Sequence, residues 1–367
     1  MSKEKIKVGI VGCGNISGIY LKNCQKLQVL DLVGCADIIK ERAAAKAQEY
    51  NIKAYTVEEM LADPGIKIVI NLTIPKAHAQ VALAAIAAGK SVYNEKPLAI
   101  ERKDGLKMLA LAAKKKVLVG GAPDTFMGSG IQTCRKLIDD NVIGETIGAT
   151  AFMTCHGHES WHPAPEFYYQ TGGGPMFDMG PYYLTALVNL MGPVKSVMGA
   201  TRITFPERTI TSQPLNGKKI KVEVPTHIAG LLHFKNNAIG TIITSFDVWA
   251  AVLPRIEVYG TKGSISVPDP NMFGGPVRLF LPGNKDWQDV PLTHPFAENS
   301  RGVGVADMAY ALLNKRPARA GGKLTYHVLD IMHAFHDSAR QKKLVKLKST
   351  CPQPAALPMG QGEDVLT

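Results

Sequence analysis

The chain has 367 residues, 46% of them hydrophobic and 20% charged, and carries a formal net charge of +11. Those values describe an ordinary globular protein long enough for two domains, and no apolar run reaches the roughly 18 residues that span a membrane. The lead MSKEKIKVGIVG runs from charge straight into a strand pattern without the apolar core of a signal peptide, so the expectation is a cytoplasmic protein.

Strand and helix signals alternate from the start. IKVGIVGCG is a β-branched run ending in glycine, and ISGIYLKNCQKL has helical spacing. LDLVGCAD reads as a second strand and KERAAAKAQEY as a strong helix. IKIVINLT is apolar nearly throughout, as a strand covered on both faces must be, and AHAQVALAAIAAGK is a helix ending at glycine. KSVYNEKP, a helix from Ile100 to Lys115, and KVLVGGAP complete the series. This order predicts a doubly wound parallel sheet over residues 1–124.

Past Pro123 the pattern changes. A helix near Gly130–Asp140 is followed by strand-like ETIGATAFMTCH and a loop rich in His, Pro and aromatics. GGGPMFDMGPYYLTAL follows, with Asp178 set ahead of an apolar helix as a candidate N-cap. Long strand runs joined by turns such as KNNA and GTKGS then predict an antiparallel meander, closed by a helix over LTYHVLDIMHAFHDSARQ. Residues 125–345 thus read as an α+β domain, with 346–367 as a tail.

The six cysteines are scattered without a CxxC pair, which suits small buried hydrophobes. Lys and Arg are spread along the chain without an aromatic–basic motif, so neither nucleic acid nor membrane is expected as a partner.

Gly12 and Gly14 occupy the first two positions of a GxGxxG turn, and Ser17 stands at the third. The turn follows a strand and opens a helix, so Gly12, Gly14, Asn15 and Ile16 are placed to receive a pyrophosphate. Asp37 ends the second strand, where a carboxylate accepts hydrogen bonds from ribose hydroxyls and repels a 2′-phosphate. The cofactor expectation is therefore NAD over NADP, with Lys40 and Arg42 close enough to matter.

Together, that fingerprint, Glu95-Lys96-Pro97 and the GGGxxxDxG stretch resemble the glucose–fructose oxidoreductase / inositol dehydrogenase / rhizopine-catabolism (Gfo/Idh/MocA) family over nearly the whole chain. The resemblance implies a Rossmann domain, a C-terminal open, mostly antiparallel sheet, sugar or cyclitol substrates, and homo-oligomers built through the open sheets. It places Glu95 and Lys96 beside the cofactor and Lys96 on the substrate as well. It also implies catalytic work for Asp178. The family's usual histidine four residues later is Tyr182 here, and its second aspartate is Thr185.

The base is then open. Tyr182 serves if a nearby Lys96 lowers its pKa, and His162 or His158 is the other source. His158 and Trp161 are expected on the substrate, with Tyr183 facing it too. Asp124 reads equally as pocket wall or turn former. His158-Glu159-Ser160-Trp161-His162 matches HExxH, but Gly157, Pro163 and Pro165 interrupt the helix such a zinc site needs, so no metal is expected. The expected activity is oxidation of a secondary hydroxyl, with C3 of a pyranoside as one option. The alternatives are a redox-neutral glycoside hydrolase or epimerase with tightly held NAD, and a non-catalytic dinucleotide-binding regulator.

Overall fold

A computed structural model describes residues 4–367. The first strands are short, and all but the exposed edge strand β3 are largely buried. They are β1 (Ile6–Val11), β2 (Leu30–Ala36), β3 (Lys53–Tyr55), β4 (Ile68–Asn71), β5 (Ser91–Asn94) and β6 (Val119–Gly121). All residues of β4 and β5 are buried. The helices between them are α1 (Ser17–Cys24), α2 (Lys40–Tyr50), α3 (Val57–Ala62), α4 (Pro75–Ala87) and α5 (Arg102–Lys115). The six strands pair in the order β3-β2-β1-β4-β5-β6, all parallel. Strand order reverses between β1 and β4, and ligands of such sheets bind beyond the carboxyl ends at that point.

The second sheet holds nine strands. Its elements are α6 (Ser129–Asp139), β7 (Thr146–Thr154), α7 (Pro175–Asp178), α8 (Gly180–Met191), β8 (Val194–Arg202), β11 (His227–Phe234), β12 (Ile239–Ser245), β13 (Ile256–Gly260), β14 (Gly263–Val267), β15 (Val277–Phe280) and β16 (Gln288–Val290). The chain ends with α9 (Val303–Leu313), α10 (Gly322–Gln341) and β17 (Val345–Lys346). A separate ribbon pairs β9 (Glu207–Thr209) with β10 (Lys219–Lys221).

The large sheet runs β16-β15-β14-β13-β7-β12-β11-β8-β17. It corrects the simple meander, because β7 lies between the consecutive strands β12 and β13 and runs parallel to β12. Every residue of α8 is buried, Thr185 and Asn189 included, as a helix without a polar face requires. The helix α9 escaped sequence reading for the same reason, having no amphipathic period to show.

Contacts divide the chain into two units. One comprises the residues up to Ser129 together with Thr293–Tyr326 and Pro354–Thr367; the other comprises Gly130–Leu292 and His327–Gln353. The division differs from the contiguous boundaries at 124 and 345, because two C-terminal segments return to the first unit. Among the described residues no helix is long and apolar enough to cross a membrane.

One returning segment is secured by charge. Asp307 in α9 is fully buried and accepts hydrogen bonds from Arg316 (2.8 Å), the Arg319 guanidinium (2.6 Å) and the Arg319 backbone N–H (2.6 Å). Replacing Asp307 by Ala strands two guanidinium groups, and a loss of about 3–5 kcal/mol is expected in urea unfolding. Asp104→Ala, which removes only the exposed pair with Lys107, is expected to cost less than about 1 kcal/mol.

Candidate active site

In the first unit the turn after β1 is built without side-chain room. Gly12 has φ +103°, and a Cβ there would lie 2.6 Å from the Leu72 backbone. A Cβ on Gly14 meets nothing within 4 Å, so that edge is open. Ser17 is buried, and its hydroxyl donates to the Gly14 carbonyl at 2.7 Å, which accommodates serine where the motif has glycine. Asn15 is exposed and Ile16 half-buried at the entrance to α1. Asp37 accepts from the Cys13 N–H (2.7 Å) and the Ile39 N–H (2.8 Å), which fixes its carboxylate beside the turn. Exposed Ile38 and Ile74 flank the carboxyl edge as uncovered apolar surface that sequence reading missed.

The Glu95-Lys96-Pro97 loop is locked from behind. Glu95 accepts from Tyr20 of α1 (2.8 Å) and from the Lys96 N–H (2.8 Å), so both carboxylate oxygens are engaged by the chain itself. The Lys96–Pro97 bond is cis. Asn71 donates to Asn94 (3.0 Å), Asn94 donates to the Leu98 carbonyl (3.0 Å), and the His78 ring lies 2.7 Å from the Pro97 carbonyl. These partners close the polar ends of β4 and β5 and leave Lys96 half-buried at the edge. Asp124 is buried and accepts from the N–H groups of Gly302 and Gly304, so it caps the start of α9 as a turn former. Burial pushes its carboxyl above the ordinary range.

In the second unit β7 and β12 end together. Parallel pairing sets Thr154 opposite Ser245, and the chains stay joined beyond the strands through Cys155 N–H to Ser245 (3.0 Å) and Val248 N–H to Cys155 (3.1 Å). The histidine-rich loop therefore leaves beside Phe246. Nε2 of His158 lies 3.2 Å from Oδ2 of Asp178, a pair about one-eighth exposed. The imidazole packs on Tyr168 (4.1 Å), Phe246 (4.6 Å) and Trp161 (5.2 Å between ring centres). Its Nδ1 is buried without a hydrogen-bond partner.

Asp178 closes α7 with its N–H bonded to the Gly174 carbonyl, and the N-cap position of α8 is Met179. The glycines before it serve the loop. A Cβ on Gly173 would lie 2.3 Å from the Phe167 carbonyl, and Gly174 donates to the Tyr168 carbonyl at 2.6 Å. Their close approach is thus to the loop's own backbone. Residues 158–162 form a single turn, with His162 N–H bonded to His158, yet Glu159 turns away to Arg208 and Tyr169. Nδ1 of His162 accepts from the Ala164 N–H at 3.1 Å, and burial followed by the charge of His158 holds its pKa below 6.5. Trp161 is 60% exposed.

The family models for the oxidoreductase NAD-binding Rossmann fold and the GFO/IDH/MocA C-terminal domain match residues 6–121 and 131–266. The chain belongs to the GFO/IDH/MocA family. It is 32% identical over 265 residues to 1,5-anhydro-D-fructose reductase of Ensifer adhaerens, covering 70% of this chain and 74% of the relative. It is 25% identical over 265 residues to myo-inositol 2-dehydrogenase of Thermotoga maritima, covering 71% and 74%. A levoglucosan dehydrogenase solved with NADH and L-sorbose shares its fold at TM-score 0.81 and 20% identity, over 94% of this chain and 100% of that one.

Within this GFO/IDH/MocA chain both motif tyrosines belong to α8. Tyr182 and Tyr183 are both buried within it. Burial raises the Tyr183 pKa far above its usual value. Of the predicted residues, the structure brings His158 to Asp178, with Trp161 against the same imidazole. Their shared signal in the sequence was only a histidine-rich loop just upstream of the glycines.

Burial pushes the Glu159 carboxyl up, but hydrogen bonds from Tyr169 and Arg208 outweigh it and hold the pKa below 4.5. A carboxylate depressed in the folded state stabilises above its unfolded value and loses that contribution as pH falls through the lower folded value. The wild-type urea midpoint is therefore expected to fall as pH drops below about 4.5. Glu159→Gln is expected to start lower and show a shallower fall.

Proposed function

We propose that the chain is an NAD-dependent dehydrogenase that oxidises a secondary hydroxyl of a sugar, cyclitol or glycoside, with His158 as base. The observation that carries this reading is the His158–Asp178 pair, supported by relatives named as dehydrogenases and reductases of such compounds. A bound nicotinamide dinucleotide supplies the two-electron acceptor for the carbinol hydrogen.

Asp178 accepts the Nε2 proton of His158 and so fixes the tautomer. The lone pair that takes the hydroxyl proton is then on Nδ1, the nitrogen without a partner. The Tyr168 and Phe246 rings pack on the same imidazole. Asp178 balances the imidazolium that forms. Lys96 stabilises negative charge developing on the oxidised oxygen. Asp37 favours NAD, because its carboxylate repels a 2′-phosphate.

The test is a panel of D-xylose, myo-inositol, levoglucosan, methyl glucoside and phenyl glucoside with NAD and NADP, read at the reduced nicotinamide absorbance. Turnover with NAD is expected. His158→Asn is expected to lower kcat by about 10²–10⁴-fold and Lys96→Met by about 10²–10³-fold, with NADH still bound by the His158 variant. Wild-type kcat in His158→Asn defeats the base assignment, and failure to bind either dinucleotide defeats the whole reading.

Among these substrates we favour a glycoside oxidised at C3, whose anomeric substituent extends beyond the reacting carbon. Exposed aromatic surface at Trp161 and Phe167, adjoining the His158 loop, supports this choice. Trp161→Ala is expected to reduce kcat/KM for phenyl glucoside by about tenfold and for D-xylose by less than about twofold. A 3-keto product by NMR is the expected regiochemistry, and a ketone at another carbon overturns it.

A further inference from the structure

The His158 loop is held by a side chain outside every motif singled out in the sequence. Arg208 projects from β9, on the two-stranded ribbon apart from the large sheet, and its side chain is 3% exposed. Nη1 donates to Glu159 (2.6 Å) and to the His156 carbonyl (3.3 Å). Nη2 donates to the Phe246 carbonyl (2.8 Å) and to Asp247. The guanidinium also lies over the rings of Phe205 and Tyr169.

Four of those partners bear on His158. His156 and Glu159 flank it in the chain. The Phe246 ring packs on its imidazole. Tyr169 donates to Glu159 and its oxygen receives the His158 N–H at 3.2 Å. Asp247 is tied in turn by the Thr226 hydroxyl at 2.7 Å. The Glu159 carbonyl takes the N–H groups of Thr211 (2.9 Å) and Ser212 (3.0 Å), which anchors the turn to the ribbon's connecting loop. Gly157, at φ +85°, lets the chain pass beneath the clasp, since a Cβ there would strike the Tyr169 hydroxyl and Glu159 at 2.3 Å.

We propose that Arg208, acting through Glu159 and Phe246, is a positioning residue that sets the imidazole of His158 against Asp178. The inference rests on the reading of His158 as base. A guanidinium whose Nη1 and Nη2 each hold two acceptors, while its Nε–H is buried without one, fixes direction as well as charge, and a lysine cannot reproduce its two divergent donor groups. The ribbon is thereby part of the catalytic machinery without touching substrate. A displacement of the base by about 1 Å is enough to cost about 10²-fold in rate.

Arg208→Lys and Glu159→Gln keep charge or shape and are compared with His158→Asn in the full chain. The assays are far-UV circular dichroism, NADH titration, imidazole ¹⁵N NMR of His158, and kcat with whichever of D-xylose, myo-inositol or phenyl glucoside turns over fastest. Folded variants with NADH affinity within about twofold of wild type are expected. kcat is expected to fall at least about tenfold, and the His158 resonance to leave its single Nε2–H form for a mixture of tautomers. The double variant is expected to be no worse than the poorer single one, because both remove the same clasp. Wild-type kcat and an unchanged His158 spectrum in a folded Arg208→Lys overturn the inference, as does a loss of kcat that appears only with loss of the folded spectrum. If His158→Asn keeps full kcat, the base reading itself has failed and the positioning role falls with it. If His158→Asn loses kcat while Arg208→Lys does not, only the positioning role falls.

Discussion

The parallel pairing of β7 with β12 is the constraint from which the candidate site follows. Antiparallel neighbours send consecutive chain ends to opposite edges of a sheet, whereas parallel neighbours deliver both carboxyl ends to one edge. Here the register runs without a break from Gly148 opposite Ile239 to Thr154 opposite Ser245. The histidine-rich loop and the Phe246-Asp247 step therefore emerge side by side. Thus His158, its aromatic wall and the partners of Arg208 are neighbours in space while some 90 residues apart in sequence. A strict meander would not assemble them.

The first unit solves a related problem by satisfying its polar groups internally. The carboxyl ends of β4 and β5 carry asparagines where an apolar residue would bury more surface. Asn71, Asn94 and His78 instead close backbone carbonyls that would otherwise be stranded at the sheet edge. Glu95 belongs to the same network. With both oxygens occupied by Tyr20 and the Lys96 N–H, it fixes the path of the loop, and the negative charge it adds raises the Tyr20 pKa after burial has done most of it. The neighbouring lysine is then presented from a rigid backbone.

Much of this was legible in the sequence, for identifiable reasons. Doubly covered strands such as IKIVINLT and the glycine turn at Gly12 depend on local chemistry, so each could be read where it stood. Asp37 falls at a strand end set by the same period. What could not be read depends on non-local pairing. The position of β7 inside the large sheet is a matter of long-range register, and the return of Thr293–Tyr326 to the first unit leaves no local mark. Asp124 is a clear case: its role as acceptor for Gly302 and Gly304 joins positions 178 residues apart. Arg208 was invisible for the same reason, an arginine in a polar stretch whose partners lie upstream and downstream.

The placement of Tyr182 becomes intelligible through backbone geometry. A spacing of four superposes side chains only on one continuous helix. Between Asp178 and Tyr182 the helix is interrupted. The helix α7 ends at Asp178, Met179 has φ −107°, and the Tyr182 N–H bonds back to Met179. Tyr182 enters α8, a helix buried on all sides, so a phenol there packs where a histidine would have to be desolvated. A loop that leaves β7 one strand earlier brings His158 to the carboxylate from the other side of the glycines. On the proposed reading, the pair of imidazole and carboxylate runs histidine first and aspartate second along the chain. Catalytic pairs are defined by that geometry, which tolerates reordering, whereas a linear motif does not.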